Sequence, residues 1–172
     1  MLVGKKVQLT EIRPEDKALL LTWINDPKLV RQHGPYRPIC ATSHDEWFAS
    51  IGNDRAHLHF AIREVGNDAI VGLLQLLHLH ELFRSIELTV RLGSEAHRGR
   101  GLGVEAVKLA TQFAFQDLNL HRVYLYVFAD NLLAAKAYEN AGFSIEGQLR
   151  DAAYIDGQWR DVLVMACVRG SD

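Results

Sequence analysis

The sequence predicts an α/β domain on a single mixed, mostly antiparallel sheet with flanking helices, neither doubly wound nor a closed barrel. Three observations carry this. Strand-period and helix-period segments follow one another in the order β, α, α, β, β, β, α, β, α, β, β along one chain of 172 residues. Two turn signals, Gly66-Asn67-Asp68 and Asp156-Gly157, each join two strand-like segments into a hairpin. Between them, Val123 to Phe128 is apolar at nearly every position, as expected of a central strand covered on both faces.

Val7, Leu9 and Ile12, separated by polar residues, predict a first strand. Pro14-Glu15-Asp16 ends it and opens a helix through Leu19, Leu20, Trp23 and Ile24, which Asn25-Asp26-Pro27 breaks. Ser43 with Glu46 three residues later reads as a capping box ahead of a second short helix carrying Trp47, Phe48 and Ile51. Leu58, Phe60 and Ile62 alternate up to the first hairpin turn, the run from Ile70 to Leu79 returns, and Ile86 to Leu92 adds a third strand. A long helical pattern runs to about Leu118. Ala134, Ala135, Ala137 and Tyr138 mark the last helix, closed by Gly142, and the segments Ser144 to Ala153 and Trp159 to Val168 form the final hairpin.

The composition, 48% hydrophobic and 23% charged, suits one compact domain spanning residues 1–172. A formal charge of −2 supplies no basic face for nucleic acid, and no window approaches the roughly 18 continuous apolar residues of a membrane span. Cys40 and Cys167 lie far apart and form no C-x-x-C pair, so the expectation is a soluble, unprocessed cytoplasmic protein without a disulfide framework.

The most informative motif is Arg98-Gly99-Arg100-Gly101-Leu102-Gly103, placed between the strand ending near Leu92 and the long helix. Glycines let several N–H groups converge, and the following helix adds the positive end of its dipole, so the loop is a cradle for phosphate. It is not a dinucleotide fingerprint, because the sixth position counted from Gly99 is Val104. It is not a nucleotide P-loop, because Val104 and Glu105 stand where lysine and a hydroxyl are needed. Arg98 and Arg100 place two cations beside the cradle and suit a polyphosphate.

This loop resembles the Q/R-x-x-G-x-G/A acetyl-CoA loop of the GNAT superfamily of N-acetyltransferases. Downstream, Asn119-Leu120-His121-Arg122-Val123, Asn131 with Ala134 and Tyr138-Glu139, Gly142-Phe143, Glu146-Gly147 with Leu149-Arg150, and Asp156-Gly157 with Asp161 follow in the order of its RimJ/RimL-like branch. The resemblance is close from Ile86 to Val168 and weaker over Leu9, Arg13, Pro14, Asp16 and Trp23 to Pro27. The connection Gly93 to His97 departs from the commonest family form, which is one residue shorter and contains proline.

The resemblance implies a GNAT fold and transfer of an acetyl group from acetyl-CoA to a primary amine within a ternary complex. It implies that Arg98, Gly99, Arg100, Gly101, Leu102 and Gly103 hold the diphosphate, and that two strands splay apart to admit the pantetheine arm. Backbone groups of Val90, Arg91 and Leu92 then bind that arm, with Asn131, Ala134 and Tyr138 alongside. Tyr138 takes the family's tyrosine position as donor to the departing thiolate. An alkyl ammonium must also lose a proton before it attacks, and Glu87, near the start of the strand, is the candidate base acting through water, with a hairpin-pairing glutamate as the rival reading. Acceptors within the branch's repertoire include polyamines, amino sugars, amino acids and protein N-termini, a small-molecule amine ranking first, and a homodimer is the family habit. A non-catalytic acyl-CoA sensor is the competing class.

His57, His59, His78 and His80 tempt a metal reading, but the register is unfixed and no cysteine joins them, so no metal is expected. Glu11, Glu15, Asp16, Asp26, Glu46 and Glu81 suggest an acidic amine pocket, yet their scatter is that of a solvated face. Neither cysteine is accompanied by a base motif, so direct transfer is expected.

Overall fold

The computed structural model describes residues 1–54 and 56–170. Eight strands form one sheet: β1 (Leu2–Val3), β2 (Val7–Thr10), β3 (Leu58–Glu64), β4 (Ile70–His80), β5 (Ser85–Leu92), β6 (Arg122–Phe128), β7 (Ser144–Ile155) and β8 (Gln158–Val168). Their spatial order is β1-β2-β3-β4-β5-β6-β8-β7. Every neighbouring pair is antiparallel except β5 and β6, which are parallel and joined through the long helix α4 (Leu102–Gln116). The helices α1 (Lys17–Ile24), α2 (Pro27–Val30) and α3 (Ala41–Ser50) fall between β2 and β3, and α5 (Leu132–Asn140) between β6 and β7. No helix among the described residues is long and apolar enough to cross a membrane.

Alternation explains the layering. Along β5, Ile86 and Leu88 are fully buried while Glu87 and Thr89 face the other way, and on β4 Leu74 and Leu76 alternate with Leu73 and Gln75 in the same manner. The buried set packs against Leu102, Ala106, Val107, Ala110 and Ala114 of α4, with Leu125 and Met165 completing the main core. Fully burying each leucine or isoleucine there is worth about 1.5–3 kcal/mol. The opposite face carries Ala61 and Leu73, over which Leu20 and Trp23 of α1 and Trp47 of α3 form a smaller second core.

A buried ion pair ties that second layer to the sheet. Arg63 of β3 donates from Nη2 to Asp16 Oδ2 at 2.6 Å, from Nε to Thr10 Oγ1 at 3.1 Å and from Nη1 to the Asp68 carbonyl at 2.5 Å. Both side chains are nearly fully buried, at 2% and 4% exposure, so the pair is satisfied rather than solvated.

Several sequence expectations need correction. The first strand stops at Thr10 and leaves Ile12 outside, and a two-residue β1 pairs with β2 ahead of it. A third short helix, α2, follows α1, because Asp26 caps a new turn at Lys28 N instead of ending helical structure. The N-cap of α3 is Cys40, whose sulfur accepts from Ser43 N at 3.5 Å, so Ser43 and Glu46 lie inside the helix and form no capping box. Strand β6 is central, but the face carrying Tyr124, Tyr126 and Phe128 is covered only at its end: Tyr126 is 49% exposed and meets Tyr124 edge-on, while Phe128 is buried against Ile155 and Val162. The final hairpin turns at Asp156 and Gly157, both in the left-handed region, as its sequence predicts.

Candidate active site

The site begins where the parallel pair ends. Strands β5 and β6 are paired only at Ser85 with Arg122, Ile86 with Val123 and Glu87 with Tyr124. Beyond Glu87, β5 keeps its β4 partner through Leu92 while β6 keeps β8 through Phe128, so the two strands separate. From Leu88 onward alternate backbone groups of β5, including the stretch Val90 to Leu92, face an unpaired edge. A polar backbone edge inside a cleft must find a ligand or water, and an extended amide-bearing chain satisfies it in the manner of an added strand.

The loop at the other end of the cleft is built for an anion. Gly99 and Gly101 have φ of 70° and 79°, and Gly101 is the N-cap of α4. In that left-handed conformation a side chain would be strained, and a Cβ on Gly101 would also lie 3.1 Å from Lys6 Nζ. The turn leaves the N–H groups of Gly99, Arg100, Gly101, Leu102, Gly103 and Val104 without an acceptor among the described residues. They open into a cavity of about 520 Å³ lined by Arg98, Gly99, Gly101, Leu102, Gly103 and, across the cleft, Asn131, Ala134 and Tyr138. Six unpaired amides at the start of a fifteen-residue helix fit a diphosphate.

The two arginines behave differently. Arg98 lines the cavity and has no ion-pair partner among the described residues. Arg100 turns away and forms a bidentate pair with Glu64 of β3, at 2.9 and 2.6 Å, which holds Glu64 below the usual carboxylate range. Its side chain therefore does not line the cradle. The loop's second cation is Lys6, which donates to the Arg100 carbonyl at 2.9 Å from behind, a role that a lysine near the N-terminus does not advertise in sequence.

Tyr138 and Glu87 both line the narrow part of the cleft, together with Leu88, Thr89, Val90 and Asn131. Tyr138 is 9% exposed, packs on Phe143 and has no hydrogen bond to its hydroxyl among the described residues. Burial pushes its pKa up to about 12, so being held in the site makes the phenol less acidic. Asn131 caps α5 by accepting from Ala134 N at 3.2 Å while also lining the cleft.

Glu87 does pair across the hairpin, as the rival reading has it: its Oε2 lies 3.0 Å from His78 Nδ1. It still lines the cleft at 16% exposure. His78 reaches it because β4 bulges between Leu77 and His80, with His78 at a positive φ of 54°. A non-glycine residue held there is a strained feature beside the candidate base. Of the other histidines, His57 bonds Asp54 and packs edge-on against the His78 ring at 5.4 Å, His59 bonds Gln75, and His80 stacks on Phe83. Among the described residues no group of three His, Cys, Asp or Glu stands close enough to hold a metal ion.

The cleft continues into a cavity of about 340 Å³ between the sheet and α1 to α3, lined by Leu20, Trp23, Trp47, Leu73 and Arg91 among others. Trp23 lies so close to Gly93 that any Cβ there would fall 2.0 Å from the indole. None of the acids singled out in the sequence lines this cavity. Asp16 is consumed by Arg63, Glu11 by Arg13, and Asp26 by its cap. His33, which no motif flagged, lines the cradle, the narrow cleft and this cavity alike.

Comparison with known proteins places this geometry. The model of the acetyltransferase (GNAT) domain matches residues 6–144, and the chain belongs to that family. Among curated relatives, the spermidine N(1)-acetyltransferase of Escherichia coli K12 is 34% identical over 113 residues, 66% of this chain and 59% of that enzyme. The match thus spans less than two thirds of that relative's length. The [ribosomal protein uS5]-alanine N-acetyltransferase of Escherichia coli K12 is more distant, 25% identical over 142 residues, covering 77% of this chain and 73% of that enzyme. Among solved structures, the spermidine N-acetyltransferase from Vibrio cholerae in complex with CoA and spermine has a TM-score of 0.86 at 25% identity, covering 95% of each chain.

Proposed function

We propose that this protein transfers the acetyl group of acetyl-CoA to a primary amine of a small molecule by direct attack in a ternary complex. One observation carries the reading: six unpaired amides at the head of α4 open into a cleft that continues along the free edge of β5 and ends between Glu87 and Tyr138. The cradle takes the diphosphate, the β5 edge takes the amides of the pantetheine arm, and an edge N–H polarises the thioester carbonyl. Family membership and the CoA bound in the Vibrio cholerae relative support the same assignment.

Glu87 accepts the proton that the ammonium must lose, through water, with His78 holding the carboxylate on its other side. The amine nitrogen then bonds to the carbonyl carbon, the carbon–sulfur bond breaks, and sulfur leaves with the electron pair. Tyr138, protonated at any pH up to about 12, hydrogen-bonds the departing sulfur. Full transfer of its proton to a thiolate of ordinary pKa near 8.5 is uphill, so the phenol stabilises the developing charge, and sulfur collects the second proton, which the nitrogen sheds as it becomes an amide. The partners in this reading are acetyl-CoA and the amine, in a cytoplasmic homodimer; the two unpaired cysteines support the compartment, and exposed Leu149, Tyr154 and Trp159 support a second copy.

The test is titration with acetyl-CoA by calorimetry, followed by thiol release over a panel of amines. Saturable binding with amine-dependent thiol release is expected. Binding without release from any small amine or N-terminal peptide favours a sensor, and release from the peptide alone favours a protein N-terminal acetyltransferase.

A further inference from the structure

The cavity between the sheet and α1 to α3 has a charge of the wrong sign for a polyamine. Its wall contains one guanidinium, Arg91, and no aspartate or glutamate. The Arg91 side chain makes no ion pair or hydrogen bond to any described residue, and its Nε is buried without a partner. Burial lowers its pKa, yet an arginine remains charged in any protein environment. A second polar atom of the same wall, Nδ1 of His44, is also buried and unpartnered. Desolvation lowers the pKa of His44, so it adds no second positive charge. The remaining lining is dominated by apolar side chains, Leu20, Trp23, Ile24, Trp47 and Leu73 prominent among them. Orphaned polar groups are rare in native interiors, and two in the wall of one cavity point to a ligand that completes them.

Resting on the acetyl-transfer reading, we propose that the acceptor is an amine that also carries a carboxylate and an apolar body, with Arg91 as the carboxylate's partner. The placement of the two charges matches such a molecule. Glu87 and Arg91 point from the same face of β5, four residues and about 13 Å of strand apart. The carboxylate that attracts the ammonium lies at the paired end of the cleft, and the cation that attracts an anion lies toward Leu92. The apolar wall formed by α1, α3 and β4 lies on the same side. A polyamine entering the same cavity meets a desolvated like charge, which is repulsive, and finds no acid to offset it. An arginine fork and a carboxylate form two parallel charge-assisted hydrogen bonds.

The test compares acceptors that differ only in the anion. Phenylalanine and the dipeptide leucyl-leucine, which hold the carboxylate at different distances from the amine, are set against 2-phenylethylamine and spermidine in the thiol-release assay. The expected result is a KM for at least one carboxylate-bearing acceptor about tenfold to hundredfold below that of 2-phenylethylamine. Arg91→Gln should raise that KM by a similar factor, at least five times any rise in the KM for acetyl-CoA. Leu73, directly opposite Arg91 on β4, supplies a second variant. Leu73→Glu places a carboxylate beside the guanidinium and should remove the preference for the anion. Melting curves check that both variants fold. Where turnover is too slow to rank, calorimetry of the carboxylate acceptors against the CoA-loaded protein gives the same comparison. Preference for spermidine or 2-phenylethylamine, or an Arg91→Gln variant with unchanged acceptor KM or affinity, overturns the proposal while leaving acetyl transfer standing. Failure of acetyl-CoA to bind defeats the acetyl-transfer reading itself.

Discussion

Tyr138 and Glu87 face the same narrow cleft but differ in what protein surroundings do to them, and kinetics can separate the two. Burial holds Tyr138 protonated to about pH 12, so it contributes a hydrogen bond that is the same across the working range. Tyr138→Phe should therefore lower kcat about 10²-fold to 10⁴-fold by an equal factor at every pH, with little change in the KM for acetyl-CoA. Glu87 acts on a nucleophile that is almost wholly protonated at neutrality, so its loss has a pH signature. In Glu87→Gln the rate should follow the deprotonated fraction of the amine, rising about tenfold per pH unit up to the amine's own pKa near 10. An unchanged profile removes Glu87 from the proton path and leaves it as the partner of His78.

Helix α4 and the strands beside it show which parts of the site a sequence can disclose. The glycine loop, the following helix and the parallel strand after it are local patterns, and all three stand where the residues predict. The direction of a side chain is not local. Arg100 follows Gly99 in an apparently basic loop, yet Glu64, thirty-six residues earlier, captures it, and only the pairing of β2 with β3 brings that acid near. Arg91 reads as one polar position in an alternating strand; its isolation depends on α1 to α3 covering that face without an acid. The bulge that turns His78 toward Glu87 has no glycine or proline to announce it. Another long-range tie, equally silent in sequence, fixes the start of α4: Glu105 accepts from the backbone N–H groups of Lys5, Lys6 and Val7 at 3.0, 2.6 and 2.8 Å. Burial alone would raise its pKa, but these three donors bring it below the ordinary carboxylate value of 4.5. A carboxylate depressed by folding stabilises the protein above its unfolded pKa and loses that contribution as pH falls through the lower folded value. Glu105→Gln should therefore cost about 1–3 kcal/mol at pH 7. The gap between the two melting temperatures should close as the pH drops below 4.5. A gap that persists undiminished in acid would show that shape, and not charge, holds the N-terminus to α4.

At the scale of the whole molecule the sheet divides labour: one face builds the main core with α4 and α5, and the other holds a thin layer of α1 to α3 whose underside walls the cavity proposed for the acceptor. That second layer has a small apolar core, so its attachment relies heavily on Arg63 and Asp16. Asp16 also accepts from Arg13 N at 2.8 Å, which sets the chain's entry into α1 and thereby the position of Leu20 and Trp23 over the cavity. Removing one member of a nearly fully buried pair strands the other charge, at a cost of about 3–5 kcal/mol. For a domain of this size, Asp16→Asn should lower the melting temperature by about 6–20 °C. Replacing both partners by apolar residues of similar volume, as in Asp16→Leu with Arg63→Met, leaves no unpaired charge and should recover at least half of that loss. The same comparison tests the proposed division of the site, in which acetyl-CoA is held at the head of α4 and the acceptor in the cavity beneath α1. Well below its melting point, Asp16→Asn should raise the KM of the acceptor by several-fold more than that of acetyl-CoA. Equal rises in both would mean that the two layers unfold as one unit and that Asp16 anchors the domain as a whole, without a particular bearing on the acceptor side.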